Sequence, residues 1–213
     1  MRNFYVFLLT QLLGLSACAQ PAQRKAFSMP CEGCEAIYES PVPFEQLNAV
    51  DTLPDFSEAG PKMLVTGVIY EYDGKTPARN VVLYIYHTDQ RGLYATRGGE
   101  TGWVKRHGYI RGWIRTGADG RYAFYTLRPA AYPNDKIPAH IHPVIREADM
   151  QPYYVDEWLF DDDPLLTPEE RAKQPGYGGS GIVRTSNRND LLIATRDIVL
   201  GAGIPGYPIK KGL

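Results

Sequence analysis

Residues 119–145 read DGRYAFYTLRPAAYPNDKIPAHIHPVI, and the pattern of this stretch decides the fold class. Asp119-Gly120 is a tight-turn dipeptide. RYAFYTL (121–127) is rich in aromatic and β-branched residues and reads as a strand. Tyr122 and Phe124 alternate with Ala123 and Tyr125, so they form one face of it. RPAAYPNDKIP (128–138) then holds three prolines and reads as a connection. AHIHPVI (139–145) returns to the strand pattern.

The same pattern recurs on both sides. MLVTGVIYEY (63–72), VVLYIYHT (81–88), YIRGWIRT (109–116), VDEWLF (155–160) and LLIATRDIVL (191–200) all read as strands, and Asp73-Gly74 supplies another turn. Short strands joined by Gly- and Pro-rich connections predict an all-β fold, an antiparallel β-sandwich with long loops. One short helix is expected: Thr167 is its N-cap, Pro168 its first position and Glu170 completes a capping box, while Pro175 and Gly176 stop it. Asp161-Asp162-Asp163 lacks the alternating ligands and glycine bend of a calcium loop and reads as a solvated turn. Trp103, Trp113 and Trp158 suit either the core or a pocket wall.

The chain has 213 residues, 23 Lys+Arg against 24 Asp+Glu, and a net charge of −1. That length predicts one domain with modest appendages. The near-neutral balance excludes the basic excess of a nucleic-acid binder. Tyr outnumbers Phe by 15 to 7, an excess that suits strands and also supplies phenol oxygens for a hard metal.

Residues 1–17 run from Arg2 through an apolar segment to Ser16 and Ala17, the layout of an export signal too short to span a membrane comfortably. Leu15-Ser16-Ala17-Cys18 resembles a bacterial lipobox, which implies lipidation of Cys18, and Ala19 resembles the pattern sorted to the outer membrane. The protein is therefore expected in the cell envelope, touching the membrane only through a lipid anchor. Residues 19–60 read as a tether and irregular wrap, and 61–213 as the sandwich domain. Cys31 and Cys34 lack the further ligands of a zinc site, so in an oxidising compartment they are expected to form a local disulfide.

The chemistry-bearing residues lie in the opening stretch. His140 and His142, two apart on a strand, point their imidazoles to one face, close enough to share a metal such as zinc or copper. His87 and His107 have no such partner and read as polar surface residues.

The order D-G-x-Y, strand, P-x-x-Y-P and P-x-H-x-H across 119–142 resembles the intradiol ring-cleavage dioxygenases, the family of protocatechuate 3,4-dioxygenase and catechol 1,2-dioxygenase. VVLYIYHTDQRGLY (81–94) is similar to the family segment in which a strand runs into D-x-x-G-x-Y, and the similarity spans about 62–165. The resemblance implies a non-haem ferric ion, Fe(3+), held by Tyr94, Tyr132, His140, His142 and a hydroxide. Tyr109 is the rival for the first tyrosine position. Fe(III) favours anionic oxygen and lowers a phenol pKa from about 10, so both tyrosines would bind as phenolates. In the family mechanism the residue matching Tyr132 is the axial ligand that dissociates when a catechol chelates, with His142 opposite and Tyr94 and His140 equatorial. Dioxygen then attacks the ring, and cleavage between the two oxygenated carbons gives a cis,cis-muconate-type diacid. Family members often associate, which makes a homo-oligomer an expected state.

Two positions depart from the family pattern. Ile137 stands where R-P-x-H-x-H has Arg, leaving Arg128, Arg106 or Arg111 as stand-ins, while neighbouring Lys136 points to the other side of a strand. DEWLFDDDP resembles the strand T-Q-L-Y-F-x-x-D-P, with Glu157 in place of the substrate-contacting Gln. A carboxylate there would repel a carboxylated catechol and implies uncharged catechols or polyphenols as substrates. The competing classes are a catalytically weak or inactive metal- or ligand-binding sandwich of the cell envelope and a metal-free, transthyretin-like scaffold.

Overall fold

The aromatic and β-branched runs become strands of two six-stranded sheets. The computed structural model describes residues 29–209; the 1–17 export segment, Cys18 and the beginning of the tether lie outside the described residues. In chain order the strands are β1 (Val50–Thr52), β2 (Lys62–Tyr70), β3 (Val82–His87), β4 (Arg111–Arg115), β5 (Arg121–Leu127) and β6 (His140–Arg146). They continue with β7 (Tyr153–Tyr154), β8 (Trp158–Phe160), β9 (Ile182–Val183), β10 (Thr185–Arg188), β11 (Leu191–Thr195) and β12 (Ile198–Val199). One sheet is ordered β1-β5-β2-β11-β10, with β12 also on β2; the other is β4-β3-β6-β8-β9, with β7 on β6.

The sandwich is as the sequence predicts, but its pairing is mixed. β1 with β5, β11 and β12 with β2, and β8 with β9 run parallel. The Asp73-Gly74 and Asp119-Gly120 turns do not join neighbouring strands of one sheet: each lies between consecutive strands that belong to different sheets, and the first closes only a single antiparallel bridge, Tyr70 with Pro77. β10 and β11 form a hairpin through the two-residue turn Asn189-Asp190, both at positive φ, and this hairpin lays β11 parallel to β2.

Alternation along β2 buries Met63, Val65 and Ile69 between the sheets, where they join Leu83, Ile85, Tyr122, Phe124, Ile141 and Trp158. LLIATRDIVL does not form one strand, because it breaks at Arg196. The Arg196 guanidinium enters the core over the Trp158 ring and donates to the carbonyls of Asp156 and Tyr177. Its backbone carbonyl accepts from the Tyr122 hydroxyl at 2.6 Å and presses on Gly67, where a Cβ would stand 1.8 Å away. VDEWLF likewise shortens to β8, since the Asp156 carboxylate accepts from the amides of Gly176 and Tyr177 at 2.9 Å each.

The outer face of the second sheet positions the site. There Val82, Tyr84, Trp113 and Val144 are covered by a 3-10 turn, Cys34–Glu39, which buries Cys34, Ala36 and Ile37. The Trp113 indole N–H donates to the Ile37 carbonyl at 2.9 Å. The stretch read as an irregular wrap thus clasps the sheet and also contributes β1. Cys31 and Cys34 are disulfide-bonded within it.

Two short α-helices occur among the described residues where one was expected. In α1 (Val104–His107) and α2 (Pro168–Ala172), only the second carries the predicted cap, with Thr167 Oγ1 accepting from the Glu170 amide. α1 has no side-chain cap, hence no sequence signal of that kind. The aspartate run is tied to arginines, Asp161 to Arg171 and Arg184 and Asp162 to Arg128.

His87 and His107 are not surface residues: both are buried. The cost of burying a polar ring is offset by hydrogen bonds. His87 meets the Thr88 carbonyl and the Thr126 hydroxyl, and Thr126 also meets the buried Asp55 carboxylate. His107 Nδ1 lies 2.9 Å from the Tyr84 hydroxyl, and burial pushes its pKa down to about 4, so the ring is neutral near pH 7.

Candidate metal centre

Period two on β6 sends Ile141 and Ile145 into the core and His140, His142 and Val144 to the outer face. β3 lies beside it with Tyr86 in register with His142, and the two rings stack with centroids 4.4 Å apart.

The D-x-x-G-x-Y segment has a mechanical reason. Asp89 Oδ1 accepts from the amides of Arg91 and Leu93, at 2.8 and 3.0 Å, and folds the chain back. Gly92 has φ 75°, and a Cβ there would fall 2.0 Å from the Ala131 carbonyl oxygen. Only glycine lets the 128–133 segment come so close. Thr88 Oγ1 donates to the Ala130 carbonyl at 2.6 Å and Gln90 to that of Arg128 at 2.7 Å, which zips the two loops together. Tyr94 and Tyr132 are thereby set side by side over the His140 and His142 face.

Four polar atoms converge. Tyr94 Oη is 2.6 Å from both Tyr132 Oη and His142 Nε2; Tyr132 Oη is 3.3 Å from His140 Nε2; the two Nε2 atoms are 3.0 Å apart. All four residues singled out in the sequence are therefore together. Tyr109 is elsewhere, donating to Glu58 at 2.7 Å with Arg97 over its ring.

The proton inventory of this cluster is informative. His140 Nδ1 faces the Pro138 carbonyl at 2.7 Å and His142 Nδ1 faces Glu157 Oε1 at 2.9 Å. A carbonyl and a carboxylate only accept, so each neutral ring carries its proton on Nδ1 and presents a bare lone pair at Nε2. With both rings neutral, the hydroxyl protons can serve the contacts of Tyr94 and Tyr132, and no proton lies on the line between His140 and His142. Two lone pairs 3.0 Å apart call for a positive charge between them. A cation with oxygen and imidazole ligands fits this donor set.

Electrostatics agree. Burial raises the pKa of both phenols, aided at Tyr94 by the hydrogen bond to Tyr132. They ionise only against a strong cation. Burial, reinforced by His142, lowers His140 and keeps it neutral. At Glu157 burial works upward, yet the hydrogen bond to His142 and the attraction of both histidines hold the carboxyl below its usual range.

Glu157 lies with His140 and His142 in a set of possible ligand atoms within 4.8 Å. Its Oε1 meets the other ring nitrogen of His142, however, so it orients that imidazole instead of competing for the centre. Glu157→Ala is expected to lower metal affinity about 10–100-fold, and Glu157→Gln, which keeps an acceptor, by much less. Metal titrations of the two variants check this.

A cavity of about 270 Å³ opens on the cluster between Tyr86, Trp103, Arg106 and His107. His107 stacks on Tyr86 with centroids 3.7 Å apart and rings parallel to 2°. Sequence reasoning missed this wall; the outward alternation of Tyr84 and Tyr86 in VVLYIYHT was its only signal. Trp103 lines the cavity, while Trp113 and Trp158 are buried. Of the arginine stand-ins, Arg128 is held by Asp162 and Arg111 by Glu39; Arg106 alone reaches the cavity, and Ile137 is 41% exposed.

A family model described as Dioxygenase matches residues 38–202. Catechol 1,2-dioxygenase 1 of Acinetobacter lwoffii is 35% identical over 86 residues, 40% of this chain and 26% of the relative. The protocatechuate 3,4-dioxygenase beta chain of Burkholderia cepacia is 30% identical over 113 residues, 50% of this chain and 48% of the relative. The matches thus span about half or less of the length of these relatives. Among solved structures, the dioxygenase domain of a dioxygenase carbohydrate-binding protein fusion from Streptomyces sp. SirexAA-E has a TM-score of 0.54 at 21% identity, covering 71% of this chain and 88% of that one. The intradiol ring-cleavage dioxygenase from Tetranychus urticae gives 0.54 at 18% identity, covering 76% and 90%. These likenesses establish a shared fold.

Proposed function

The chain belongs to the intradiol ring-cleavage dioxygenase family, and from that premise we propose that it cleaves a catechol-type diol with dioxygen, using a non-haem ferric ion held by Tyr94, Tyr132, His140 and His142. Both oxygen atoms enter the product, a cis,cis-muconate-type diacid. The observation that carries the reading is the donor set itself, two phenols and two bare imidazole nitrogens gathered within 3.3 Å of their neighbours. Imidazole suits iron, and anionic oxygen favours the ferric state. When bound, that ion supplies the charge that ionises the phenols and makes a chelated catecholate reactive toward dioxygen.

The chain's own groups do the rest. Glu157 and the Pro138 carbonyl hold the Nδ1 protons of His142 and His140 and keep both Nε2 atoms aimed inward. Tyr94 is pinned by the glycine-92 crossing and stays in place. Tyr132, between Ala131 and the turn at Pro133, would hold the ion through Oη and, as a phenolate, is placed to take one proton of the entering diol at that atom. Tyr86 stacked on His107, with Trp103 tilted against the imidazole, forms an aromatic wall that orients the diol ring and sheds water.

Export and lipidation at Cys18 belong to the same proposal. Among the described residues no helix is long and apolar enough to cross a membrane, and the Cys31–Cys34 disulfide suits an oxidising compartment.

The test is a visible spectrum of the ferric-loaded protein, before and after catechol under nitrogen, followed by air. A broad tyrosinate charge-transfer band that shifts with catechol, then oxygen uptake with diacid formation, is the expected result. A protein that stays colourless after ferric loading overturns the reading. Colour and a catechol shift without oxygen uptake would make it the binding sandwich that Ile137 suggests.

A further inference from the structure

A second cavity, about 300 Å³, adjoins the first and is walled by Pro143, Val144, Tyr154, Val155 and Glu157. The two share Glu32, Tyr86 and His142, so Glu32 hangs where they meet. Arg106 is the one guanidinium or ammonium group lining either cavity among the described residues. It is the group that a carboxylate on a substrate ring would need. It is already engaged, donating from Nη2 to Glu32 Oε1 at 2.6 Å while its guanidinium lies over the Trp103 ring.

That engagement does not depend on the ion pair alone. Glu32 is in the four-residue disulfide loop Cys31–Cys34, whose far end is buried with Ala36 and Ile37 against the sheet. Gly33 at φ 83° seats the loop on His107, where a Cβ would stand 2.8 Å from Nε2. An incoming carboxylate therefore competes with an internal rival whose effective concentration is of the order of millimolar.

We propose that Glu32 is a specificity-determining residue: by occupying Arg106 at the junction of the two cavities it selects against carboxylated catechols and leaves the cleft to uncharged catechol-type diols. This rests on the catechol reading of the site and names its substrate class. Glu157, engaged by His142 in the second cavity, adds negative charge on the same side of the ledger. Both partners of the Glu32–Arg106 pair are more than half exposed, so the discrimination is graded and weakens with salt.

The experiment is calorimetric titration, under nitrogen and at low salt, of the full-length iron-loaded protein with 4-methylcatechol and with 3,4-dihydroxybenzoate. Glu32→Gln should tighten dihydroxybenzoate about two- to fivefold relative to methylcatechol, whose own Kd stays unchanged within error. Adding Arg106→Gln to Glu32→Gln should erase the gain. An unchanged ratio of the two Kd values, or a parallel shift of both ligands, overturns the role of Glu32 while leaving the catechol site intact. If neither ligand binds the wild type or the variant, the catechol reading falls and the selectivity falls with it.

Discussion

His142→Ala is expected to yield a folded protein that retains almost no iron and no measurable ring cleavage. His142 stands at the crossing of four contacts. Its Nε2 meets Tyr94 and His140, its Nδ1 meets Glu157, and its ring covers Tyr86. Removing it deletes one donor, leaves Tyr94 without its imidazole neighbour and strands the Glu157 carboxylate. The loss should exceed the roughly 10–100-fold that accompanies removal of an outer hydrogen-bonding partner. The fold survives because the side chain lies on the outer face, apart from the core between the sheets. Iron content by mass spectrometry and the visible band decide the matter; a variant with full iron and unchanged colour would remove His142 from the ligand set.

Gly67→Ala is the fold-level counterpart. The added methyl would be placed 1.8 Å from the Arg196 carbonyl oxygen, and 3.1 Å from the Tyr122 ring. The obstacle is backbone, held by the Tyr122 hydroxyl and by the Arg196 amide bond to Thr66, so it cannot turn aside. Ordinary overpacking costs about 1–3 kcal/mol, and this substitution should exceed that range, lowering the melting midpoint by about 10 °C or preventing folding outright. Gly117→Ala is the control, since its Cβ would meet nothing nearer than Asp119 Oδ1 at 3.6 Å. Equal midpoints for the two variants would show that Arg196 yields more readily than its contacts imply.

These two sites differ in how readable they were. His140 and His142 were legible because strand alternation and a two-residue spacing carry the geometry locally. Tyr94 and Tyr132 were legible only through the family resemblance: what joins them is the approach of two loops at Gly92, distant in sequence from Ala131. The clash at Gly67 and the parallel course of β11 and β12 arise from pairings between chain segments more than 120 residues apart, which no local pattern encodes. His87 and His107 were misread because a lone polar residue looks the same on a surface and in a satisfied network. Glu32 was hidden by its cysteines, which drew the reading to the disulfide and away from the residue that it presents.

The pairing of β2 with β11 has a further consequence, one for biosynthesis. The sheet that carries His140 and His142 uses no strand beyond Val183, whereas β2, in the sheet behind it, is paired by β5 on one side and finds its neighbour on the other only at Leu191. A chain emerging from the ribosome can therefore assemble the site-bearing sheet while β2 still has an open, apolar edge. Such an edge recruits other chains, and long-range parallel pairing closes it slowly. Premature termination before Leu191 should thus produce a self-associating protein, not merely an inactive one.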